Sequence, residues 1–531
     1  MRTSLFLVVS AMLPLAAALG APSPTCTRDE KVVDLATPGT RGGDDIYADS
    51  SNPEPISEKV PFVSAKESPG MPLNWSVYLM KGTDVRNAPV YFMLEFSEKT
   101  TPAIMERAVS EGLMPPGLVV FVTTGGLKAT VSGGHGRGLR SAILMNRGPS
   151  LAAVLSREVL PLAAAKAKVA VSPDPDLHFV AGSSAGGHAA LSVAWHGNDF
   201  FHRVYAASPA SDPWFAGLIR KSETRPLRVY MTCGDNEPDR TGPDLFLGVM
   251  EYRASFDFAG YPCELKYFTG AGHNAGKGDP ETMRRMFEFL WTGWKDGPLK
   301  PLRNPVRIAD IVTGGSWKET SADIPPRRRS VPASGGEYSF EGGKLLFTSH
   351  GESKVVADGL RDISSISLSS DRWLLYVADR ASQYILAFPV RRGGALGRPF
   401  RLGRLELSAD PCVIGAADIV TLANDRTFVA TELGVQGLMP EGVAYDLLLP
   451  LPGDVPVERL WMNGSTLFAS GGGKVFRREL KVAVADPGKT TKAKLKYGKD
   501  DGENRNSRHM PKFAPGCNVP SSVIITNSIP R

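Results

Sequence analysis

The chain has 531 residues, 42% hydrophobic and 22% charged, with a net charge of only +6. That length exceeds what one hydrophobic core usually serves, and both halves carry ample apolar content, so two domains with appendages are expected. The basic excess is local, in Arg327-Arg328-Arg329 and in lysines between Lys489 and Lys499, and both runs read as solvated linker; a nucleic-acid partner is excluded.

In chain order, Arg2 is followed by an apolar run over 5–19, with small residues Ala18 and Gly20 ahead of Ala21. This predicts a secretory signal peptide over 1–20, since the run is short for a membrane anchor and Pro14 interrupts it. No later segment is long and apolar enough to span a bilayer, so a secreted or extracytoplasmic location is expected. Residues 21–70, rich in Pro, Gly, Ser and charge, read as an irregular leader. Strand-length apolar runs follow at 75–79, 90–96, 118–122, 179–181, 204–207, 228–232 and 264–268. Helical patterns lie between them at 102–112, 151–165 and 245–259, and a closing helix is expected over 280–291. Strands alternating with helices predict a mostly parallel sheet covered on both faces over 71–297. Residues 298–339 hold six of the prolines and the triple arginine, and read as a linker or surface strap. From 340 to 485 short strands recur about every ten residues, separated by Gly, Asn and Asp, which predicts an all-β, partial propeller-like domain. Residues 486–531 read as a basic disordered tail.

Five cysteines are too few for a disulfide scaffold. Cys233 and Cys263 fall on neighbouring expected strands and would form either a bridge or two buried thiols. Asn74-Trp75-Ser76 and Asn463-Gly464-Ser465 are glycosylation acceptor patterns in a eukaryotic secretory pathway.

Gly182-Ser183-Ser184-Ala185-Gly186 sits between the apolar run 179–181 and an alanine-rich helical stretch. A GxSxG turn between strand and helix is a nucleophile elbow, in which small neighbours tolerate a strained backbone that exposes the serine hydroxyl. Ser184 is therefore the candidate nucleophile. It requires a base and an acid that orients the base, and in α/β-hydrolases these follow in the order Ser, Asp or Glu, His. Strand 228–232 runs into a loop with Asp235, Glu237 and Asp239, and strand 264–268 runs into Thr269-Gly270-Ala271-Gly272-His273. Order and spacing both match. His273 is thus the expected base. His188 and His196, on the helix after the elbow, are expected to face solvent or the domain surface, and His178 precedes the elbow strand. The acid is Asp235, Glu237 or Asp239. Backbone N–H groups of Ala185 and of a residue near Ser97, in the loop after strand 90–96, would form the oxyanion hole.

With these residues in place, the segment from about 70 to 297 resembles the esterase family that includes enterochelin esterases, feruloyl esterases and mycolyltransferases. The likeness is carried by AGSSAGGHAALSVAW around Ser184, FFHRV at 200–204 and AGYPCELKYFTGAGH ending at His273. The overall likeness is to esterases fused to a gluconolactonase-like domain. The resemblance implies an α/β-hydrolase fold, a carboxylic ester substrate that is small or carbohydrate-linked, and no cofactor. Aligning the family's Gly-x-Asn-Asp loop on Gly234 and Asn236 puts the acid at Glu237, with Asp235 second. Glu95-Phe96-Ser97 stands where relatives carry Gln-Asp-Gly, which implies altered specificity.

Residues 340–482 resemble the second half of a gluconolactonase propeller through LSSDRWLLYVAD at 368–379, TFVATELGVQG at 427–437 and GGGKVFRREL at 471–480. That family implies a divalent metal held by oxygen ligands, but the matching positions here are Ser364 and Ala417, and alanine offers no ligand atom. No metal is expected. A non-catalytic binding protein with two degenerate lobes and a metal-dependent lactonase are the rival readings.

Overall fold

The structure is a computed structural model, and it describes residues 57–127, 136–237, 244–297, 306–313, 316–407, 414–440 and 447–485. These belong to one unit, Asp34–Tyr497. The expected signal peptide, most of the leader, Asp239 and the basic tail lie outside the described residues.

An eight-stranded sheet organises the first half. Its strands are β1 (Val60–Val63), β2 (Pro72–Leu79), β3 (Val90–Leu94), β4 (Leu118–Thr124), β7 (His178–Ser183), β8 (Arg203–Ala207), β9 (Arg228–Gly234) and β10 (Cys263–Phe268); β5 (Gly126–Leu127) and β6 (Arg137–Gly138) form a small separate ribbon. The order is β1-β2-β4-β3-β7-β8-β9-β10, antiparallel at β1, β2 and β4 and parallel from β4 to β10. Central strands such as Val-Tyr-Phe-Met-Leu of β3 are buried at every position, as a sheet covered on both faces requires. Alternation then sorts the side chains: Val90, Phe92 and Leu94 enter one core, Tyr91 and Met93 the other. The first core is completed by α2 (Arg140–Leu144), α3 (Ser150–Ala153), α4 (Leu160–Ala167), α5 (Ala185–His196), α6 (Pro213–Lys221) and α7 (Leu245–Phe258). The second is completed by α1 (Thr101–Ser110) and α8 (Pro280–Leu290). This mixed α/β half fits an α/β-hydrolase.

The ordered sheet begins inside the segment expected to be irregular, because β1 pairs along its length with β2. The Pro-rich 298–339 stretch is likewise not only a linker. It holds α9 (Val306–Ala309), β11 (Lys318–Thr320), β12 (Ser330–Ala333) and the start of β13 (Gly336–Glu341). Pro332 is tolerated because β12 is an edge strand, bonded only to β13.

Among the described residues, this stretch and the chain that follows it form four separate four-stranded antiparallel sheets. They comprise β12 to β15, with β14 (Lys344–Ser349) and β15 (Glu352–Ala357); β16 (Ile363–Leu368) to β19 (Phe400–Arg404), through β17 (Leu374–Asp379) and β18 (Tyr384–Pro389); β20 (Asp418–Thr421) to β23 (Leu447–Leu449), through β21 (Thr427–Thr431) and β22 (Gly434–Leu438); and β24 (Arg459–Asn463), β25 (Thr466–Gly471) and β26 (Lys474–Glu479) with β11 added beside β26. Edge strands β12, β16, β20 and β24 pack against one another in turn.

Cys233 and Cys263 are free and buried. Register explains why: Cys233 lies opposite Tyr267 and Cys263 opposite Val229, four residues apart along the strands and about 13 Å at strand rise. Burial pushes the Cys263 thiol up to about 12, which keeps it protonated and inert.

Candidate active site

The chain turns hardest at Ser184. Strand β7 ends at Ser183, helix α5 starts at Ala185, and Ser184 between them has φ +59° and ψ −123°, a backbone that non-glycine residues rarely adopt. Its environment over-determines that strain. The Ser184 N–H donates to Ala207 O at 2.9 Å, and its carbonyl accepts from the N–H groups of Gly187 (2.9 Å), Ala210 (2.9 Å) and His188 (3.2 Å). The small residues are obligatory, since a Cβ on Gly182 would lie 1.7 Å from Gly186 O. Ala185 is the first residue of a twelve-residue helix, so its N–H has no intrahelical acceptor and sits at the positive end of the dipole.

The loops after β9 and β10 meet beside this turn. His273 Nδ1 lies 2.6 Å from Glu237 Oε2; the Glu237 side chain is 2% exposed and that of His273 20%. A buried carboxylate is costly without a partner, and here the imidazole supplies one. Glu237 Oε1 has no partner among the described residues. Asp235 does something else: its Oδ1 accepts the Gly270 N–H at 2.6 Å, bracing the turn that leads to His273. Asn236 N–H adds a bond to Ala271 O at 3.0 Å. Gly234 permits this approach, since a Cβ there would lie 1.9 Å from Ala271 O. Asn274, next to His273, accepts the Ser183 hydroxyl at 2.6 Å and donates its own N–H to Ser208 Oγ at 2.9 Å. The loops after β7, β8, β9 and β10 thus form one bonded cluster at the carboxyl ends of parallel strands, where open α/β sheets place their ligands.

The loop after β3 forms the adjoining rim, in a way the sequence did not suggest. Ser97 braces the turn that leads into α1, accepting the N–H groups of Lys99 (3.2 Å) and Thr100 (3.3 Å) on its hydroxyl and Thr101 (3.2 Å) on its carbonyl. The residues that lie against the elbow are Leu94 and Glu95: a Cβ on Gly186 would be 3.1 Å from Leu94 O and 3.8 Å from Glu95 Cβ. Glu95, at φ +59°, holds Arg140 through both carboxylate oxygens, and Lys277 Nζ reaches Glu95 O at 3.3 Å while lying 4.6 Å above the Phe96 ring. Burial lowers the Lys277 amine from its ordinary value. The contacts of Arg140 and Lys277 were not foreseen from the sequence, because their partners are distant in the chain.

Residues 67–247 match the family model described as "putative esterase". His273 lies beyond the matched stretch. Solved structures also match parts of the chain. An enterobactin esterase from Shigella flexneri, crystallised with 2,3-dihydroxy-N-benzoyl-glycine, is 18% identical over 45% of this chain and 59% of its own, with a TM-score of 0.35. A ferulic acid esterase is 18% identical over 44% of this chain and 94% of its own, with a TM-score of 0.30. A gluconolactonase-family protein is 13% identical over 28% of this chain and 49% of its own, with a TM-score of 0.24. The chain therefore spans about three fifths of the Shigella flexneri esterase. No curated protein matches it.

Among the described residues, His178, His188, His196 and His202 of the esterase-family domain have structural partners. His188 and His196 were expected at the surface; instead His188 is buried with Nδ1 2.9 Å from the Tyr252 hydroxyl, and the nearly buried His196 Nδ1 lies 3.1 Å from Asp454 Oδ2. α5 lies on β3, β7 and β8 with α2 and α3 packed against it, and His188 meets the rings of Phe215 and Tyr252, so every residue of the helix but His196 is buried.

In the β-sheet half, the positions matching a metal-binding propeller do not fit a cation. Ser364 Oγ donates to Ala416 O at 2.6 Å, and Asp418 Oδ2 is paired with Arg459 Nε at 3.2 Å. Arg327 Nη1 donates to Ala417 O at 2.9 Å, which places a positive charge where the metal would need an oxygen.

Proposed function

We propose that the protein is an exported serine hydrolase of carboxylic esters, with Ser184 as nucleophile, His273 as base and Glu237 as the acid that orients it. The observation that carries this reading is the bonded loop cluster, in which a strained Ser184 and a His273–Glu237 pair are joined through Ser183 and Asn274. Ser184 Oγ attacks the ester carbonyl carbon while its proton passes to His273 Nε2, and Glu237 accepts the Nδ1–H and stabilises the imidazolium. The oxyanion is met by the Ala185 N–H and by a second donor from the loop after β3. Phe96 supplies that donor better than Ser97, since Phe96 follows the residue that lies against the elbow. Collapse breaks the carbon–oxygen bond, the leaving alcohol takes the proton from Nε2, and water repeats the sequence on the acyl-enzyme.

The substrate is a small or carbohydrate-linked ester. The four antiparallel sheets are read as blades of a small propeller, a reading supported by the successive packing of their edge strands and by β11 completing the last sheet from the start of the segment. Export rests on the apolar run at 5–19 and predicts a mature protein beginning near Ala21 when its N-terminus is sequenced.

Hydrolysis of short-chain aryl esters by wild type and by Ser184→Ala is the direct test. The variant should lose at least about 10³-fold in kcat. Equal rates in the two proteins would remove the serine mechanism.

A further inference from the structure

The β-sheet half carries a second concave site that the ester chemistry does not use. A cavity of about 390 Å³ opens where the Pro-rich strap crosses the starts of β14 and β16, and it is lined by Arg327, Arg329, Arg361 and Arg380 against Glu341 and Asp362. Four guanidinium groups facing two carboxylates leave the cavity positive. The carboxylates do not neutralise it locally: the Asp362–Arg380 contact is 3.6 Å with a half-exposed aspartate, and the side chains of Arg329 and Arg361 make no ion pair among the described residues. Arg459, itself paired with Asp418, and Arg380 both weigh against the charge of Arg327, and Asp418 and Asp362 offset this only in part.

Arg327 is fixed rather than splayed into solvent. Its guanidinium donates to Ala417 O at 2.9 Å, and burial, with Arg380 and Arg459 behind it, makes its charge unfavourable where it stands. The wall is also shaped for close approach: Gly343, at φ +80°, turns at a point where a Cβ would lie 2.2 Å from Leu360 O. A fold that gathers like charges in a fixed concavity creates a potential that draws in counter-charge. Guanidinium forks match the planar or tetrahedral oxygens of a carboxylate or phosphate.

We propose that this cavity binds an oxyanion, as the carboxylate or phosphate of a ligand of monosaccharide size, through Arg327, Arg329, Arg361 and Arg380. The place that a metal would occupy in a gluconolactonase-like propeller is here given over to arginine, so the ligand carries the negative charge that the metal ligands would otherwise supply. The site is independent of the ester chemistry at Ser184.

The test is calorimetric titration of the full chain with inorganic phosphate, with glucuronate, with neutral glucose and with calcium chloride, each at about 50 mM and about 500 mM NaCl. Phosphate, glucuronate or both should bind, more weakly at high salt, and glucose should not; which anion binds more tightly identifies the source of the oxyanion. The Arg327→Gln/Arg380→Gln double variant should lose at least about tenfold in anion affinity while keeping the wild-type rate on aryl esters. If that variant melts early, Arg361→Ala, whose side chain is exposed, should still weaken binding by about threefold or more. No heat with either anion, unchanged affinity in the variants, or binding of calcium without binding of anions would each overturn the proposal.

Discussion

The Ser183 hydroxyl donates to the Asn274 amide oxygen at 2.6 Å, joining the residue before the candidate nucleophile to the residue after the candidate base. Asn274 is held for this at φ +65°, with its N–H on Ser208 Oγ. The bond sets the spacing of two loops that share no strand pairing, so it should act on catalysis through geometry. Ser183→Ala removes the hydroxyl alone. Its kcat on an aryl ester should fall by about tenfold with KM nearly unchanged, and stability by only about 1 kcal/mol. Steady-state kinetics and a urea titration measure both; a wild-type kcat would assign the bond to folding alone.

Glu237 and Asp235 stand two residues apart in one loop and make opposite predictions. Glu237→Gln leaves the shape intact but disturbs the tautomer and the charge behind His273, so kcat should fall by about 10³ to 10⁴. Asp235→Asn retains an oxygen that can accept the Gly270 N–H, so kcat should stay within about threefold. Reversal of that order would move the acid to Asp235.

The parts of this molecule that the sequence revealed are those whose cause is local. Central strands buried on both faces read as continuous apolar runs, and the elbow reads through Gly182, whose lack of a side chain the turn requires, and through Gly186, where a Cβ would crowd Leu94 O. The parts it hid depend on distant partners. His188 and His196 looked exposed because Tyr252 and Asp454 lie 64 and 258 residues away. β11 and β12 passed for linker because one pairs with β26 and the other contains Pro332. Arg327 looked solvated until Ala417 O was seen against it. Glu237 was preferred to Asp235 through a family likeness, whereas the structure separates them by what each carboxylate touches.

His178 makes the fold sensitive to acid. It is fully buried, accepts the Val90 N–H on Nδ1 at 3.2 Å, places Nε2 2.9 Å from Ser172 O and stacks on Phe200; burial lowers it from 6.5 to about 4. Above pH 6.5 the imidazole is neutral in both folded and unfolded chains and contributes no slope. Between 6.5 and 4 only the unfolded chain takes up the proton, so stability falls as pH falls, by about 3 kcal/mol across the window. Burial lowers His188 as well, with the same sign. Urea midpoints measured from pH 7 to 4.5 should decline steadily in wild type. His178→Asn should be less stable at pH 7 but show a shallower decline, and an unchanged slope would place the acid sensitivity elsewhere.

Asp454 joins the two halves. Its carboxylate, in the turn after β23, receives Arg225 Nη2 at 2.9 Å and Nη1 at 3.2 Å and lies 3.1 Å from His196 Nδ1, while Arg478 pairs with Glu223 alongside. Burial alone would raise the Asp454 carboxyl, but the Arg225 charge and the His196 bond outweigh it and hold it down at about 2. Breaking a buried pair on one side strands the other charge, so Asp454→Asn should cost about 3 kcal/mol. Because the contact spans the joint, the loss should split one thermal transition into two, the esterase-family domain and the β-sheet half melting apart. Adding Arg225→Met removes the stranded charge and should recover most of the stability. Aryl-ester turnover at 25 °C should change little in either variant, since neither residue approaches Ser184 or His273. Calorimetry of the three proteins decides it: a single transition at the wild-type temperature in Asp454→Asn would mean that the apolar contacts carry the joint without the ion pair.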